Sequence, residues 1–116
     1  MTGGGVEIVF RTSKLRKQCT DDREAQRTWG SEQARRLKQR LDDLDAAANL
    51  GVLRRLPGRA HELKGNRADQ ISLDLKHPYR LIVESANNPV PRKSDGGLDW
   101  DAVTAVRVLE ITDTHD

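Results

Sequence analysis

The sequence predicts an α+β domain in the order β-αα-ββββ, an N-terminal strand and a helical hairpin packed on a mainly antiparallel sheet. Three observations carry that prediction. Val6, Ile8 and Phe10 alternate with Glu7, Val9 and Arg11, the period of a half-buried strand. Ala34, Leu37, Leu41, Leu44 and Ala48 recur at spacings of three and four, the stripe of an amphipathic helix. From Arg59 onward that spacing stops, and short alternating runs between turn residues replace it.

Each element follows in order. Met-Thr-Gly-Gly-Gly, residues 1–5, reads as a frayed end. The first strand turns Val6, Ile8 and Phe10 inward. Ser13 then caps a brief helical turn through Lys17. A helix over 21–29 ends at Gly30, which supplies a backbone angle other residues adopt reluctantly. Ser31 caps the longest element, over 32–49. Its stripe faces the core, and Arg35, Arg36, Lys38, Gln39, Arg40, Asp42 and Asp43 cover its other faces. Residues 49–57 read as a turn-rich linker pinned by Leu50, Val52, Leu53 and Leu56.

The strand half begins with a short run over 61–64 and a turn at Gly65-Asn66. Ile71, Leu73 and Leu75 alternate with Ser72 and Asp74. His77-Pro78 turns the chain into a strand where Tyr79, Leu81 and Val83 share the core face. Residues 87–101 hold Pro89, Pro91 and Gly96-Gly97 and form a long hairpin loop, a kind that is often functional or mobile. Residues 103–112 close the fold as a strand apolar enough to be buried on both sides.

A chain of 116 residues is read as one domain, residues 1–116. Aromatics are only 3%, so the core must rest on Leu, Val, Ile and Ala. The net charge of +2 says little about partners, but its distribution says more. Arg11, Lys14, Arg16 and Lys17 stand together without an acid. Arg54, Arg55, Arg59, Lys64 and Arg67 face only Glu62, while acids gather at 42–45 and 95–101. A lone cysteine, Cys19, excludes an internal disulfide and suits a reduced, cytoplasmic setting. No apolar run approaches membrane-spanning length, and the start lacks the basic-then-apolar pattern of a secretory signal. The scattered histidines lack close ligand spacing, so no metal or other cofactor is expected. The early helix pair has no third helix after it, which argues against direct DNA binding of the helix-turn-helix kind.

The segments that carry chemistry are His61-Glu62-Leu63-Lys64-Gly65-Asn66-Arg67, then Tyr79-Arg80, then Asp113-Thr114-His115. Metal-free RNA cleavage needs a group to take the 2′-hydroxyl proton, cations to hold the phosphate, and a group to protonate the leaving oxygen. Histidine suits proton transfer because its pKa lies near neutral, so His61 and His115 are candidates. Lys64, Arg67 and Arg80 are candidates to hold the phosphate, arginine through its fork of paired donors. Asp113 can orient His115 or assist as base. Arg11, Lys14, Arg16, Lys17, Arg35 and Arg36 are candidates to grip an RNA backbone without reading sequence. Each has a plainer alternative. His61 can be a surface strand histidine, Arg80 a partner for Glu84 or Asp74, and the helix cations a solvated face. Tyr79 is expected in the core, His77 in a structural turn, and Trp29 and Trp100 in packing roles.

These pieces together resemble the HigB-like toxins, a branch of the RelE/ParE superfamily of bacterial toxin–antitoxin systems. The resemblance rests on Val6–Phe10, the charged helix from Ser31 to Ala48, His61–Arg67, Tyr79-Arg80-Leu81 and Leu109–His115. It implies a RelE-like fold and a ribosome-dependent mRNA endonuclease restrained by a cognate HigA-like antitoxin, with ribosome and mRNA as its other partners. Two features depart from the family pattern. Thr114 stands where a tyrosine often precedes the final histidine, and residues 87–101 lengthen a usually short hairpin. The alternative is a non-catalytic toxin–antitoxin binding or suppressor protein on the same fold. A ParE-like gyrase poison is a third reading, and His61 and His115 count against it.

Overall fold

The computed structural model describes residues 5–113. Strand β1 (Glu7–Phe10) leads into three helices, α1 (Ser13–Thr20), α2 (Asp22–Trp29) and α3 (Ser31–Ala46). Then come β2 (His61–Glu62), β3 (Gln70–Asp74), β4 (Tyr79–Ser85) and β5 (Ala105–Asp113). They form one five-stranded sheet in the order β1-β5-β4-β3-β2. β1 joins β5 in parallel, and the other three pairings are antiparallel. The mainly antiparallel α+β architecture read from the sequence is the observed one. No helix among the described residues is long and apolar enough to cross a membrane.

Local chemistry explains the helices, with some shifts from expectation. The brief turn predicted at 13–17 is a full helix capped by Thr12, whose hydroxyl accepts from the Leu15 N–H at 3.0 Å. Asp21 caps α2, accepting from the Glu24 N–H at 3.0 Å. Gly30, at φ +83°, takes the cap position of α3, and Ser31 is already helical. The helix ends at Ala46, earlier than the sequence suggested, and residues 50–55 form a 3-10 helix that buries Leu50 and Leu53.

The buried face of α3 is also rotated. Gln33, Leu37, Arg40 and Leu44 are buried, Ala34 and Leu41 are half-buried, and Ala48 is exposed beyond the helix. A buried glutamine and arginine replace two apolar residues of the predicted stripe, because partners on the strands satisfy them. Gln33 accepts from the Lys76 N–H at 2.8 Å and donates to the Lys76 carbonyl at 3.3 Å. The Arg40 Nε–H donates to the Asp74 carbonyl at 2.8 Å.

The helices cover one face of the sheet. Leu37, Leu44, Leu50 and Leu53 pack there with Ile71, Leu73, Leu81, Val83, Val106 and Val108. Strand alternation turns the intervening residues to the opposite, open face. For β5 this corrects the expectation of burial on both sides. Val106 and Val108 are buried, while Arg107, Glu110 and Thr112 are only half-buried. The register shift between Ile82 and Val83 leaves Leu109 unpaired and inverts the alternation of β5, so Val106 and Val108 face the core before it and Ile111 after it.

The 87–101 excursion is an ordered loop. Arg92 and Leu98 pair as an isolated bridge, and Leu98 and Trp100 join the core. Asn87 holds its base, accepting from the Thr104 and Ala105 N–H groups at 3.0 and 3.3 Å. Trp100 is 3% exposed, donates to the Glu62 carboxylate at 2.7 Å and lies under the Arg54 guanidinium at 3.8 Å. Its packing role is the expected one.

Candidate functional site

One register row crosses the open face. His61 of β2 pairs with Ser72, Ser72 with Ile82, and Ile82 with Glu110 of β5. Three strand spacings of about 4.8 Å therefore separate His61 from Glu110 at the backbone. Ser72 and Ile82 are fully buried between them. His61 Nδ1 lies 2.9 Å from the Arg59 carbonyl oxygen. A carbonyl can only accept, so this contact places a proton on Nδ1 and leaves Nε2 for exchange with solvent or substrate.

Arg67 reaches the Glu110 end of the row from the 3-10 turn Gly65–Arg67, where Gly65 adopts φ +66°. Its guanidinium sits 2.9 Å from Gln70 Oε1 and 2.9 Å from Glu110 Oε2. Glu110 is the functional candidate that sequence reasoning missed. The available signal was an acid alternating with Ile111 in a strand otherwise read as wholly buried.

Arg80 shares the open face by register but is tied down. Its Nε is 3.3 Å from Asp74 Oδ1, and its side chain is only 17% exposed. Arg59 approaches the other oxygen of Asp74 at 3.0 Å. Toward the opposite end of the face, Arg107 pairs with Glu84 at 2.8 Å. The open face thus carries Arg59, Arg67, Arg80 and Arg107, each against a carboxylate.

The other candidates lie elsewhere. Lys64 is exposed just past β2 and makes no ion pair among the described residues. Asp113 is opposite Tyr79 in the β4–β5 register. It therefore shares the face of Tyr79, away from Arg80 and His61. Thr114 and His115 lie outside the described residues. Arg11 follows β1, and Lys14, Arg16 and Lys17 are exposed along α1, where they line a shallow hollow with Thr20 and Asp21. Arg35 is exposed on α3, and Arg36 lies 3.9 Å from Glu32. These helix cations form a surface separate from the open sheet face.

Two further groups are settled by burial and placement. Cys19 is buried, and burial pushes its thiol up to about 12, so it is not a nucleophile near neutral pH. Among the described residues, no three His, Cys, Asp or Glu side chains group as metal ligands do.

No protein-family model matches the chain, and no curated protein matches it. Solved structures do match. A YoeB/ParE toxin from Agrobacterium tumefaciens superposes with a TM-score of 0.57 at 11% identity, over 94% of this chain and 99% of its own. The fold is that of the YoeB/ParE toxins. A YoeB-YefM complex from Staphylococcus aureus agrees, with a TM-score of 0.55 at 14% identity, over 96% of this chain and 98% of its own. Within this YoeB/ParE fold, His61, Arg80 and Glu110 share the sheet face turned away from the helices, and Arg67 meets Glu110 there.

Proposed function

We propose that the chain is the toxin of a toxin–antitoxin pair and cleaves mRNA on the ribosome, by attack of a 2′-hydroxyl on the adjacent phosphate. The observation that carries this reading is the shared placement of His61, Arg67 and Glu110 on the open face of a toxin fold. His61 exchanges a proton through Nε2, the nitrogen left free by the Arg59 carbonyl. Arg67 and Arg80 hold the phosphate and stabilise its developing charge. Their carboxylate partners keep them positioned, and a phosphate competes for the same donors. Glu110 is close enough to Arg67 to aim it, and its carboxylate is a second candidate to accept the 2′-hydroxyl proton. Lys64 and His115 complete the proposed set, and Asp113, on the opposite face, falls outside it. The cations of α1 and α3 grip ribosomal RNA backbone.

The proposed restraint is a cognate antitoxin of the HigA-like kind, and the proposed compartment is the cytoplasm. A protein partner is supported by the neighbour solved as a YoeB-YefM complex.

The test is induced expression in a bacterial host with mapping of mRNA 5′ ends, wild type beside His61→Ala. New cuts inside translated frames are expected, falling by about 10²–10⁴ in rate in the variant if His61 is the proton-transfer group. Full toxicity of folded His61→Ala would remove His61 from the chemistry. The second reading, a non-cutting partner-binding protein, is favoured by the carboxylate engagement of Arg59, Arg67, Arg80 and Arg107. It predicts intact mRNA and healthy growth with soluble folded protein.

A further inference from the structure

The sequence places Tyr79 in the core, yet it is 46% exposed, the one large apolar side chain so exposed among the described residues. Its parity matches that of the core residues Leu81 and Val83, so its ring lies on the helix side of the sheet. At the head of β4, however, the helix layer gives out. The ring borders a cavity of about 450 Å³ between the α2–α3 corner and the turn before β4, which Trp29, Glu32, Lys76 and His77 also line. A second hollow of about 260 Å³ continues past Tyr79 and Trp29 to Ile111.

The walls of this cavity are fixed before any ligand arrives. Gln33 bonds both the N–H and the carbonyl of Lys76, locking the β3–β4 turn to α3. Lys76 also reaches Glu32 at 3.1 Å across the rim. The single indole donor of Trp29 is spent on the Gln18 carbonyl at 3.2 Å. That bond fixes the plane of the ring, so what Trp29 offers the cavity is apolar surface. Two aromatic side chains, with the imidazole of His77 and the Glu32–Lys76 pair at the rim, are the composition that holds a flat ring with polar edges.

We propose that this cavity binds a nucleobase of an RNA strand whose phosphates lie on the open sheet face. The proposal rests on the RNA-cleaving reading given above. Charge favours RNA over an apolar peptide. Arg80 directly follows Tyr79 and projects from the opposite face of the same strand. The two residues straddle the end of the sheet. A strand crossing that end can set a phosphate toward Arg80 and Arg59 and a base against Tyr79. The remaining described cations of α1 lie on the helix side as well, where they favour a polyanion.

The chain carries its own reporter. Trp29 lines the cavity, while Trp100 is 3% exposed beneath Arg54 and contributes a constant background. The experiment titrates the folded full-length chain with a 2′-O-methyl RNA trinucleotide, which cannot be cut, and with the same backbone lacking bases, and reads tryptophan fluorescence. Saturable quenching is expected with the base-bearing probe only. Its affinity is expected to fall roughly ten-fold in Tyr79→Ala and to stay near wild type in Tyr79→Phe, which keeps the ring. Equal quenching by the abasic probe, or unchanged affinity in Tyr79→Ala, overturns the cavity proposal and leaves the open-face chemistry standing. A response to a leucine-rich peptide but to neither RNA probe also overturns it, and assigns the cavity to a protein. Base-dependent quenching alongside a fully toxic His61→Ala supports the cavity and removes the proposed chemistry instead.

Discussion

Gly58 shows how much one residue can depend on a neighbour far away in sequence. It sits at φ +114°, and a Cβ added there would stand 2.6 Å from Arg40 Nε. Arg40 is 5% exposed, and its Nε–H is committed to the Asp74 carbonyl, so the guanidinium has little freedom to retreat. The Gly58 carbonyl in turn accepts from the Asp74 N–H at 2.7 Å. A side chain at 58 must therefore strain the backbone, displace a buried cation or break that bond. Gly58→Ala is expected to destabilise the fold by about 2 kcal/mol, measured as a lower midpoint in urea with an unchanged slope. At the same scale, the Arg59 carbonyl beside His61 Nδ1 makes the conformation of residue 59 part of the candidate site. Arg59 adopts φ +49°, an angle few non-glycine residues hold, directly next to that of Gly58.

At the scale of elements, the 87–101 loop is held at its tip as well as at its base. Arg92 meets both oxygens of Asp69, at 2.9 and 2.8 Å. The hydrogen bond from Arg92 holds the Asp69 carboxyl below the usual carboxylate range. A lowered folded-state pKa means that this contribution is present above the ordinary carboxylate value of about 3.9 and is lost as pH falls through the folded value. Both partners are substantially exposed, so solvent screens the clamp and it acts locally on the loop. The expected signature is local. Asp69→Asn should raise tryptic cleavage after Arg92 and Lys93 several-fold at neutral pH. In wild type, the protection of amides in this loop relative to their intrinsic exchange rates should fall below about pH 4, before that of the sheet. The buried anchors Leu98 and Trp100 hold the rest of the loop in both cases.

At the scale of the whole molecule, two cationic surfaces differ in kind. On the open sheet face, Arg59, Arg67, Arg80 and Arg107 are each countered by a carboxylate at 3.3 Å or less. Along α1, Lys14, Arg16 and Lys17 make no ion pair among the described residues and face solvent. Paired arginines suit positioning of one phosphate, and unpaired cations suit loose attraction of many. Lys14→Glu with Lys17→Glu is expected to weaken RNA binding across sequences. It should also reduce the slope of log affinity against log salt by about 0.7–0.9 for each phosphate contact removed. Filter binding at several salt concentrations measures this, and an unchanged slope would take α1 out of the RNA interface. Thermal stability should hardly change, because both side chains are exposed and make no ion pair among the described residues.

The sequence by itself determined the class of fold, because periodicity is a local property. Alternation at Val6–Phe10 and at Ile71–Leu75, and three–four spacing from Ala34 to Leu44, are written into neighbouring residues and need no partner to be seen. It also singled out His61, Arg67 and Arg80, since those residue types beside turns suggest phosphate chemistry. Tertiary structure decided which face each side chain occupies. In sequence Arg40 looks like a solvated helix residue, because nothing nearby announces the Asp74 carbonyl that receives it. Glu110 became a site candidate only when the β4–β5 register set it opposite Ile82 and Arg67 reached across. Asp113 was separated from His61 and Arg80 by strand parity, and Tyr79 left the core because the helix layer stops short of the strand end. Register and layer boundaries arise from pairings between distant segments, and a reading of one segment at a time does not contain them.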